Sequence, residues 1–122
     1  MTDPDVRTRI QVCIDCADAE ALAEFWARAL SHEQHFIGGW QHAIDPAGVG
    51  PVVWFQPVPE PKAVKNRLHL DIWFDTEGGA TQRRDQLLDI GATALRREHD
   101  FWLMLDPEGN EFCLCSAPID GG

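Results

Sequence analysis

Apolar and polar side chains alternate along Arg67-Leu68-His69-Leu70-Asp71-Ile72-Trp73-Phe74. Because successive side chains of a β-strand point to opposite faces, the apolar residues from Leu68 onward share one face, and the other face carries His69, Asp71 and Trp73. The same alternation occurs near the start of the chain, at Ile10-Gln11-Val12-Cys13-Ile14-Asp15. Both segments therefore predict strands that cover a core on one side only and present polar groups on the other.

A helix signal and three more short strands follow each of these segments. Asp18 has the character of an N-cap, and the apolar residues after it recur at helical spacing, which predicts a helix over 19–30. The second helix is predicted at roughly 79–90, ended by Gly91. The remaining strands are predicted on both sides of Gly38-Gly39, with the second at 40–44, and at 51–56, 92–96, 101–105 and 111–115.

The two halves read as a tandem repeat of βαβββ modules. Ile10 aligns with Leu68 at an offset of 58, and Asp45-Pro46-Ala47-Gly48 aligns with Asp106-Pro107-Glu108-Gly109 at an offset of 61. We predict one α+β domain over 1–122, with a first module at about 8–56, a proline-rich linker at about 57–66 and a second module at about 67–116. The alternative is an ordinary α+β domain in which the similarity between the two halves is a coincidence.

Composition narrows the range of partners. The chain has 122 residues, and 20 acidic against 10 basic residues give a net charge of −10, which repels phosphate backbones and anionic lipid headgroups. No apolar run approaches the ~20 residues that cross a bilayer, and the first residues lack the pattern of a secretory signal. We therefore expect a cytoplasmic protein that binds neither nucleic acid nor membrane and keeps its four cysteines as thiols.

Several motifs resemble a known family. They are the Asp15-Cys16-Ala17-Asp18 end of the first strand, the run Lys65-Asn66-Arg67-Leu68-His69-Leu70-Asp71, and the closing Asp106-Pro107-Glu108-Gly109-Asn110-Glu111-Phe112-Cys113. With the doubled βαβββ plan, the chain resembles the vicinal oxygen chelate superfamily of glyoxalases, bleomycin resistance proteins and dioxygenases, and within it the glyoxalase-like type common in actinobacteria. The resemblance implies a cup-shaped mixed sheet with helices outside, a ligand cavity between the modules and a homodimer.

Metal-using members of this superfamily take ligands from the first and last strands of both modules. By position these are Gln11, His69, Cys113 and Trp54, with Gln56 as the alternative to Trp54. Tryptophan has no lone pair for coordination, and two neutral ligands with a thiol make a weak site for a hard divalent ion. We therefore expect no cofactor. If a divalent metal is present, Gln11, His69 and Cys113 would hold it.

The candidate site residues follow from the polar faces of the predicted strands. We predict His69 as the acid–base group, assisted by Asp71, because this histidine lies on a predicted cavity face. The predicted ligand-binding residues are Gln11, Cys13, Trp54, Gln56, Trp73 and Cys113. Flat tryptophan walls with a few polar groups suit a small planar organic molecule.

Three functions are compatible with these residues. The first is a glyoxalase-like protein that binds a small organic molecule and acts on it as a lyase or isomerase without an intact metal site. The second is non-catalytic sequestration of a drug or toxin, as in bleomycin resistance proteins, which the tryptophan at a ligand position favours. The third is a metal-dependent lyase or dioxygenase, which Gln11 and His69 favour.

Other chemistry-bearing residues have plainer interpretations. An all-cysteine zinc site is disfavoured because strand alternation sends Cys13 and Cys16 to opposite faces. A nucleophilic Cys113 would need a contact with His69. Lys62 and Lys65, the two lysines of the chain, are expected in a solvated loop unless an anionic ligand group meets them.

Overall fold

The computed structural model describes residues 9–37 and 40–116. Its elements occur in the order β1 (Val12–Cys16), α1 (Ala19–Leu30), β2 (Glu33–Ile37), β3 (Trp40–Ile44), β4 (Val53–Pro57), β5 (Leu70–Phe74), α2 (Glu77–Leu88), β6 (Thr93–Arg97), β7 (Phe101–Leu105) and β8 (Glu111–Ser116). No helix in the described ranges is long and apolar enough to cross a membrane.

The strands form two four-stranded mixed sheets with matching topology, β1-β4-β3-β2 and β5-β8-β7-β6. In each sheet the first and last strands pair in parallel, and the other pairs are antiparallel. We call β1 to β4 with α1 module 1, and β5 to β8 with α2 module 2. The predicted α+β fold of two βαβββ modules is confirmed, while the proposed limits of domain, linker and modules stay predictions.

Element boundaries follow local chemistry. Helix α1 spans the predicted residues, and Asp18 caps it by accepting from the Ala21 N–H at 3.1 Å. Helix α2 begins two residues earlier than expected, because the Thr76 hydroxyl accepts from the Gly79 N–H at 3.0 Å and holds both glycines in the first turn. The 67–74 strand is shorter than predicted, since regular pairing starts only at Leu70. The predicted turn at Gly38-Gly39 lies outside the described residues.

The repeated turns confirm the alignment of the two modules. In the first turn the Ala47 N–H donates to Asp45 Oδ1 at 2.9 Å, and in the second the Glu108 N–H donates to Asp106 Oδ1 at 2.9 Å. Each turn ends at a glycine with positive φ, 74° at Gly48 and 85° at Gly109, a conformation that other residues rarely adopt. The same side-chain hydrogen bond therefore shapes both turns.

One hydrophobic core serves both modules. Trp26 of α1 is 1% exposed and packs edge-on against Phe112 of β8, with ring centroids 4.9 Å apart. Its Nε1 donates to Asp106 Oδ2 at 2.9 Å in the β7–β8 turn. The helix face of the first sheet, with Val53 and Phe55, joins this same core. Trp26 is therefore a core residue, as its helical position predicts, and it also hydrogen-bonds module 2.

Side chains of module 2 hydrogen-bond to backbone groups at both ends of α1. Glu108 accepts from the Ala17 and Asp18 N–H groups at 2.7 and 2.8 Å, next to the positive end of the helix dipole. At the other end, the Arg83 guanidinium donates to the carbonyls of Ala29 at 2.7 Å and Arg28 at 3.2 Å. These contacts fix the first sheet relative to the second and thereby position the site residues.

Candidate functional site

The strand register fixes which residues share the inner face of the first sheet, opposite α1. Cys13, Trp54, His42 and His35 are cross-strand neighbours in β1, β4, β3 and β2. The alternate residues, among them Ala43, Val53 and Phe55, are buried against α1. Trp54 and Gln56, the two alternative ligand positions of this strand, therefore both lie on the inner face.

Two hydrogen bonds connect the predicted residues of module 1. Trp54 Nε1 donates to Gln11 Oε1 at 3.0 Å, and the Cys13 thiol donates to Gln56 Oε1 at 3.6 Å. Burial, with the nearby charge of Asp15, raises the pKa of the Cys13 thiol, so this group is a hydrogen-bond donor at neutral pH. The structure thus brings Gln11, Cys13, Trp54 and Gln56 together.

A histidine that the sequence did not single out lies in the same row. His42 is 4% exposed, and its ring centroid is 4.6 Å from that of Trp54 and 5.5 Å from the stacked ring of His35. Burial and the neighbouring His35 lower the pKa of His42, which favours the neutral imidazole. Its Nδ1 is buried with no hydrogen-bond partner among the described residues.

The inner face of module 2 carries a different cluster. His69 Nδ1 lies 2.9 Å from Asp71 Oδ1, and Asp71 is the cross-strand neighbour of Cys113. The ligand atoms of His69, Asp71 and Cys113 all lie within 4.8 Å of one another. With Trp73, which is 61% exposed, they line a pocket of about 200 Å³. The predicted residues of this module are therefore grouped in space.

Cys113 does not have the properties of a nucleophile. Burial raises its pKa to about 11, and the adjacent Asp71 charge acts in the same direction. The thiol is therefore protonated at neutral pH. All four cysteines are free, and burial likewise raises the pKa of Cys16 to about 11.

A larger cavity of about 680 Å³ lies between the two modules. Its wall includes Cys13 of β1 and His69 just before β5, so it contains one predicted residue from each module. Val12, Ile14, Trp26, Val58 and Leu70 supply apolar wall. Gln11 instead lines a neighbouring pocket of about 670 Å³. The eight predicted residues are thus distributed over adjoining surfaces.

The segment between the modules is fastened to the start of β8. Lys62 Nζ lies 3.1 Å from Glu111 Oε1, and the Asn66 N–H donates to the same carboxylate at 3.3 Å. Burial raises the pKa of Glu111, but the hydrogen bonds from Lys62 and Asn66 and the Lys62 charge lower it further, leaving it below its ordinary value. Lys62 thus lies in an exposed segment, as expected for a solvated loop, and its ammonium group also neutralises the buried carboxylate of Glu111.

The four positions that the resemblance assigns to metal ligands do not suit a divalent ion. Trp54 offers no lone pair, and its N–H occupies the Gln11 amide oxygen. His69 and Cys113 remain, and Asp71, which was not predicted as a ligand, completes a group of three ligand atoms within module 2. The predicted set of Gln11, His69 and Cys113 thus differs from the set that the structure groups together.

Sequence reasoning missed His42, Glu111 and Glu108. His42 stands in the predicted strand 40–44 at a position opposite Trp54, so the alternation could have placed it on the inner face had the register been known. Glu111 and Glu108 act through contacts 45 and about 90 residues away along the chain. No local pattern reveals contacts at such separations.

Comparisons with known proteins agree with this fold. No curated protein matches the chain. Among solved structures, a glyoxalase/bleomycin resistance protein/dioxygenase family enzyme from Burkholderia phytofirmans PsJN has a TM-score of 0.72 at 17% identity, covering 87% of this chain and 95% of that one. The fosfomycin resistance protein FosX from Mesorhizobium loti has a TM-score of 0.74 at 10% identity, covering 94% and 95%. FosX from Listeria monocytogenes has a TM-score of 0.74 at 8% identity, covering 95% of both chains.

At such identities these structures show the fold alone. The sequence profile of the glyoxalase-like domain adds a match over residues 11–115, which include both modules from β1 to β8. The narrower actinobacterial type stays a prediction. The chain therefore belongs to the glyoxalase-like domain family.

Proposed function

We propose that the protein binds a small organic molecule in the cavity between its modules. The observation that carries the proposal is the cavity of about 680 Å³, which lies within the size range of small-molecule sites. Apolar groups make up most of its wall, which also contains Cys13, His69 and charged side chains such as Asp15, Lys62 and Glu111. Apolar walls supply affinity, and a few polar groups set the orientation of the ligand.

The pair His69 and Asp71 is the proposed acid–base group for lyase or isomerase chemistry. A carboxylate only accepts hydrogen bonds, so at a distance of 2.9 Å from Asp71 Oδ1 the Nδ1 atom of His69 carries the proton. Nε2 is then left with the lone pair and can take a proton from a ligand. No step requires a metal at the superfamily's positions. Of the predicted binding residues, Cys13 lines the same cavity as His69. The others lie on the adjoining inner-face surfaces; they are Gln11, Trp54, Gln56, Trp73 and Cys113.

The proposal also includes the oligomeric state and the cellular location of the protein. The exposed inner-face side chains Trp73, Trp40 and Ile37 favour a homodimer that covers them. Gel filtration that gives only a species near 13.7 kDa would contradict the dimer. The acidic surface favours a cytoplasmic protein without nucleic-acid or membrane partners.

Two alternative functions each have one supporting observation. Sequestration without chemistry is favoured by the Trp54–Gln11 hydrogen bond, which replaces two ligand positions by an aromatic wall, and the similar FosX structures are resistance proteins. A metal-dependent lyase or dioxygenase is favoured by the grouped atoms of His69, Asp71 and Cys113. Elemental analysis separates these two, because only the second requires a stoichiometric transition metal in the purified protein.

The central test uses a panel of small organic molecules, measured first for binding and then for turnover. We expect His69→Ala to keep the affinity and to lower turnover about 100-fold or more, which is the usual contribution of an acid–base group. Asp71→Asn should act in the same direction. The control is His99→Ala, which removes an exposed histidine from the turn between β6 and β7.

The outcomes of this experiment are distinct. Turnover that survives His69→Ala would remove the acid–base assignment and leave binding intact. Binding without any turnover by the wild-type protein would support sequestration. If no panel compound binds the wild-type protein, the proposed function is wrong.

A further inference from the structure

The inner face of module 1 carries a continuous row of flat side chains next to the proposed ligand cavity. Trp54, His42 and His35 lie side by side in three neighbouring strands, and we call them the aromatic row. We infer that the aromatic row is a stacking surface for an uncharged, planar aromatic ligand that carries a hydrogen-bonding substituent. This inference rests on the proposed function, because it names the class of small molecule that the protein would bind.

Trp54 is held in one orientation before any ligand arrives. Its Nε1 donates to Gln11 Oε1 at 3.0 Å, and its ring lies 4.6 Å from the His42 ring at an interplanar angle of 38°. A ring fixed by both a hydrogen bond and a neighbouring ring loses little conformational freedom on binding. The side chain remains only partly buried, so its surface is available to another flat molecule.

His42 supplies a second, independent observation. Only 4% of this residue is exposed, and Nδ1 has no hydrogen-bond partner among the described residues. A buried polar nitrogen without a partner is unfavourable, and a hydroxyl group on a bound ligand would satisfy it. Burial and the adjacent His35 lower the pKa of His42, so a neutral ring is expected at neutral pH. Beyond it, the His35 ring is stacked at an interplanar angle of 18°.

The aromatic row adjoins the cavity through β1. Cys13 is the cross-strand neighbour of Trp54 and lines the cavity of about 680 Å³. Its thiol is engaged with Gln56, so the polar groups between the cavity and Trp54 already have partners. A ligand that extends from the cavity past Cys13 would therefore meet the partly buried indole of Trp54, against which the His42 ring packs.

The test compares two uncharged probes with the same carbon skeleton and hydroxyl group. One is planar 1-naphthol, and the other is saturated, non-planar decahydro-1-naphthol. Isothermal titration calorimetry of the full chain should show that only 1-naphthol binds measurably. Trp54→Leu should raise the Kd for 1-naphthol about tenfold, because it removes one aromatic stacking partner. Trp54→Phe keeps a ring and should retain most of the affinity.

Matched variants separate the aromatic row from general effects on the fold. Phe36→Leu removes an aromatic ring of 65% exposure from the opposite face of the same sheet and should leave the Kd unchanged. His42→Phe keeps a ring beside Trp54 without the nitrogen, and should abolish the preference for 1-naphthol over 1-methylnaphthalene.

Equal affinity for the two naphthol probes, or no effect of Trp54→Leu, would overturn the inference, as would the absence of any 1-naphthol binding. In each of these cases, binding of other panel compounds that is insensitive to Trp54 would leave the proposed function standing. If the proposed function itself is wrong, no compound of the panel will bind.

Discussion

The two modules have the same strand order but present different chemistry on their inner faces. Cys13 pairs with Trp54 in module 1, and at the matching positions Asp71 pairs with Cys113 in module 2. Module 1 therefore offers packed aromatic rings, of which Trp54 is hydrogen-bonded to Gln11, whereas module 2 offers an imidazole, a carboxylate and a thiol within 4.8 Å of one another. The repeat fixes the positions of these side chains, and their identities assign stacking to one module and polar chemistry to the other.

The helices of the two modules also differ, in the number of residues that each buries. Helix α1 buries six residues and carries Trp26 into the shared core, whereas α2 buries only Ala80 and Leu87. Two residues of module 2, Glu108 and Arg83, complete the ends of α1. Module 1 thus supplies most of the helical core, and module 2 supplies the contacts that hold it in place.

Removal of Trp26 should have the largest effect, because this side chain joins the modules. We expect Trp26→Ala to lower the free energy of unfolding by about 3–5 kcal/mol, as for other large buried aromatic residues. Trp26→Phe keeps a ring against Phe112 and loses the hydrogen bond to Asp106, which should cost about 1–2 kcal/mol. Urea unfolding measures both variants, and a cost below about 1 kcal/mol for Trp26→Ala would mean that the core is not shared.

The ion pair between Lys62 and Glu111 tests the attachment of the linking segment to module 2. Lys62→Met leaves a buried carboxylate without its charged partner and should lower the free energy of unfolding by about 1–3 kcal/mol at pH 7. Because the folded-state pKa of Glu111 is lowered, its stabilising effect is present above the unfolded-state pKa and is lost as pH falls through the folded-state pKa.

The stability difference between wild type and Lys62→Met should therefore shrink below about pH 4, near the pKa of an unfolded glutamate. Denaturant titrations at pH 7 and at acidic pH measure this difference. In a Glu111→Gln background the change at Lys62 should have a smaller and pH-independent effect. A difference that is constant with pH in the wild-type background would contradict the assigned pairing.

The weak start of α2 offers the smallest change, in the stabilising direction. A Cβ at Gly78 would meet only Thr76 Oγ1 at 4.0 Å, so Gly78→Ala should raise the free energy of unfolding by about 0.5–1 kcal/mol. Gly79→Ala is the matched control, since its Cβ would lie 3.3 Å from the same oxygen and 3.8 Å from Phe74 Cβ. Equal gains from both substitutions would show that the capping contact at Thr76 does not restrict the helix start.

Features that depend on neighbours in the chain were predictable. The limits of α1 and its Asp18 cap, the hairpin strands and the paired turns at Gly48 and Gly109 follow from local spacing and backbone preference. The three residues before β5 were predicted as part of the strand because the alternation of apolar and polar residues continues through Arg67-Leu68-His69. The pairing with a neighbouring strand does not extend that far. Periodicity records which face a side chain takes and gives no information on whether a partner strand is present.

The candidate site was predictable only as a set of inner-face positions. Gln11, Cys13, His69 and Asp71 were identifiable from alternation, but the sequence could not show that Trp54 donates to Gln11 or that His42 lies buried beside it. Those contacts depend on the register of β4 against β1 and β3, which short-range patterns leave open.

The sequence by itself determined the duplicated βαβββ plan and the face on which each polar group lies, because both follow from short-range periodicity. Only the tertiary structure decided that Lys62 neutralises Glu111 and that Glu108 and Arg83 complete α1. It also decided that the His42 ring lies between Trp54 and His35, with no partner for its Nδ1 atom within residues 9–37 and 40–116. Each of these contacts joins residues on different strands or helices, and such proximity arises only when the whole chain packs around one core.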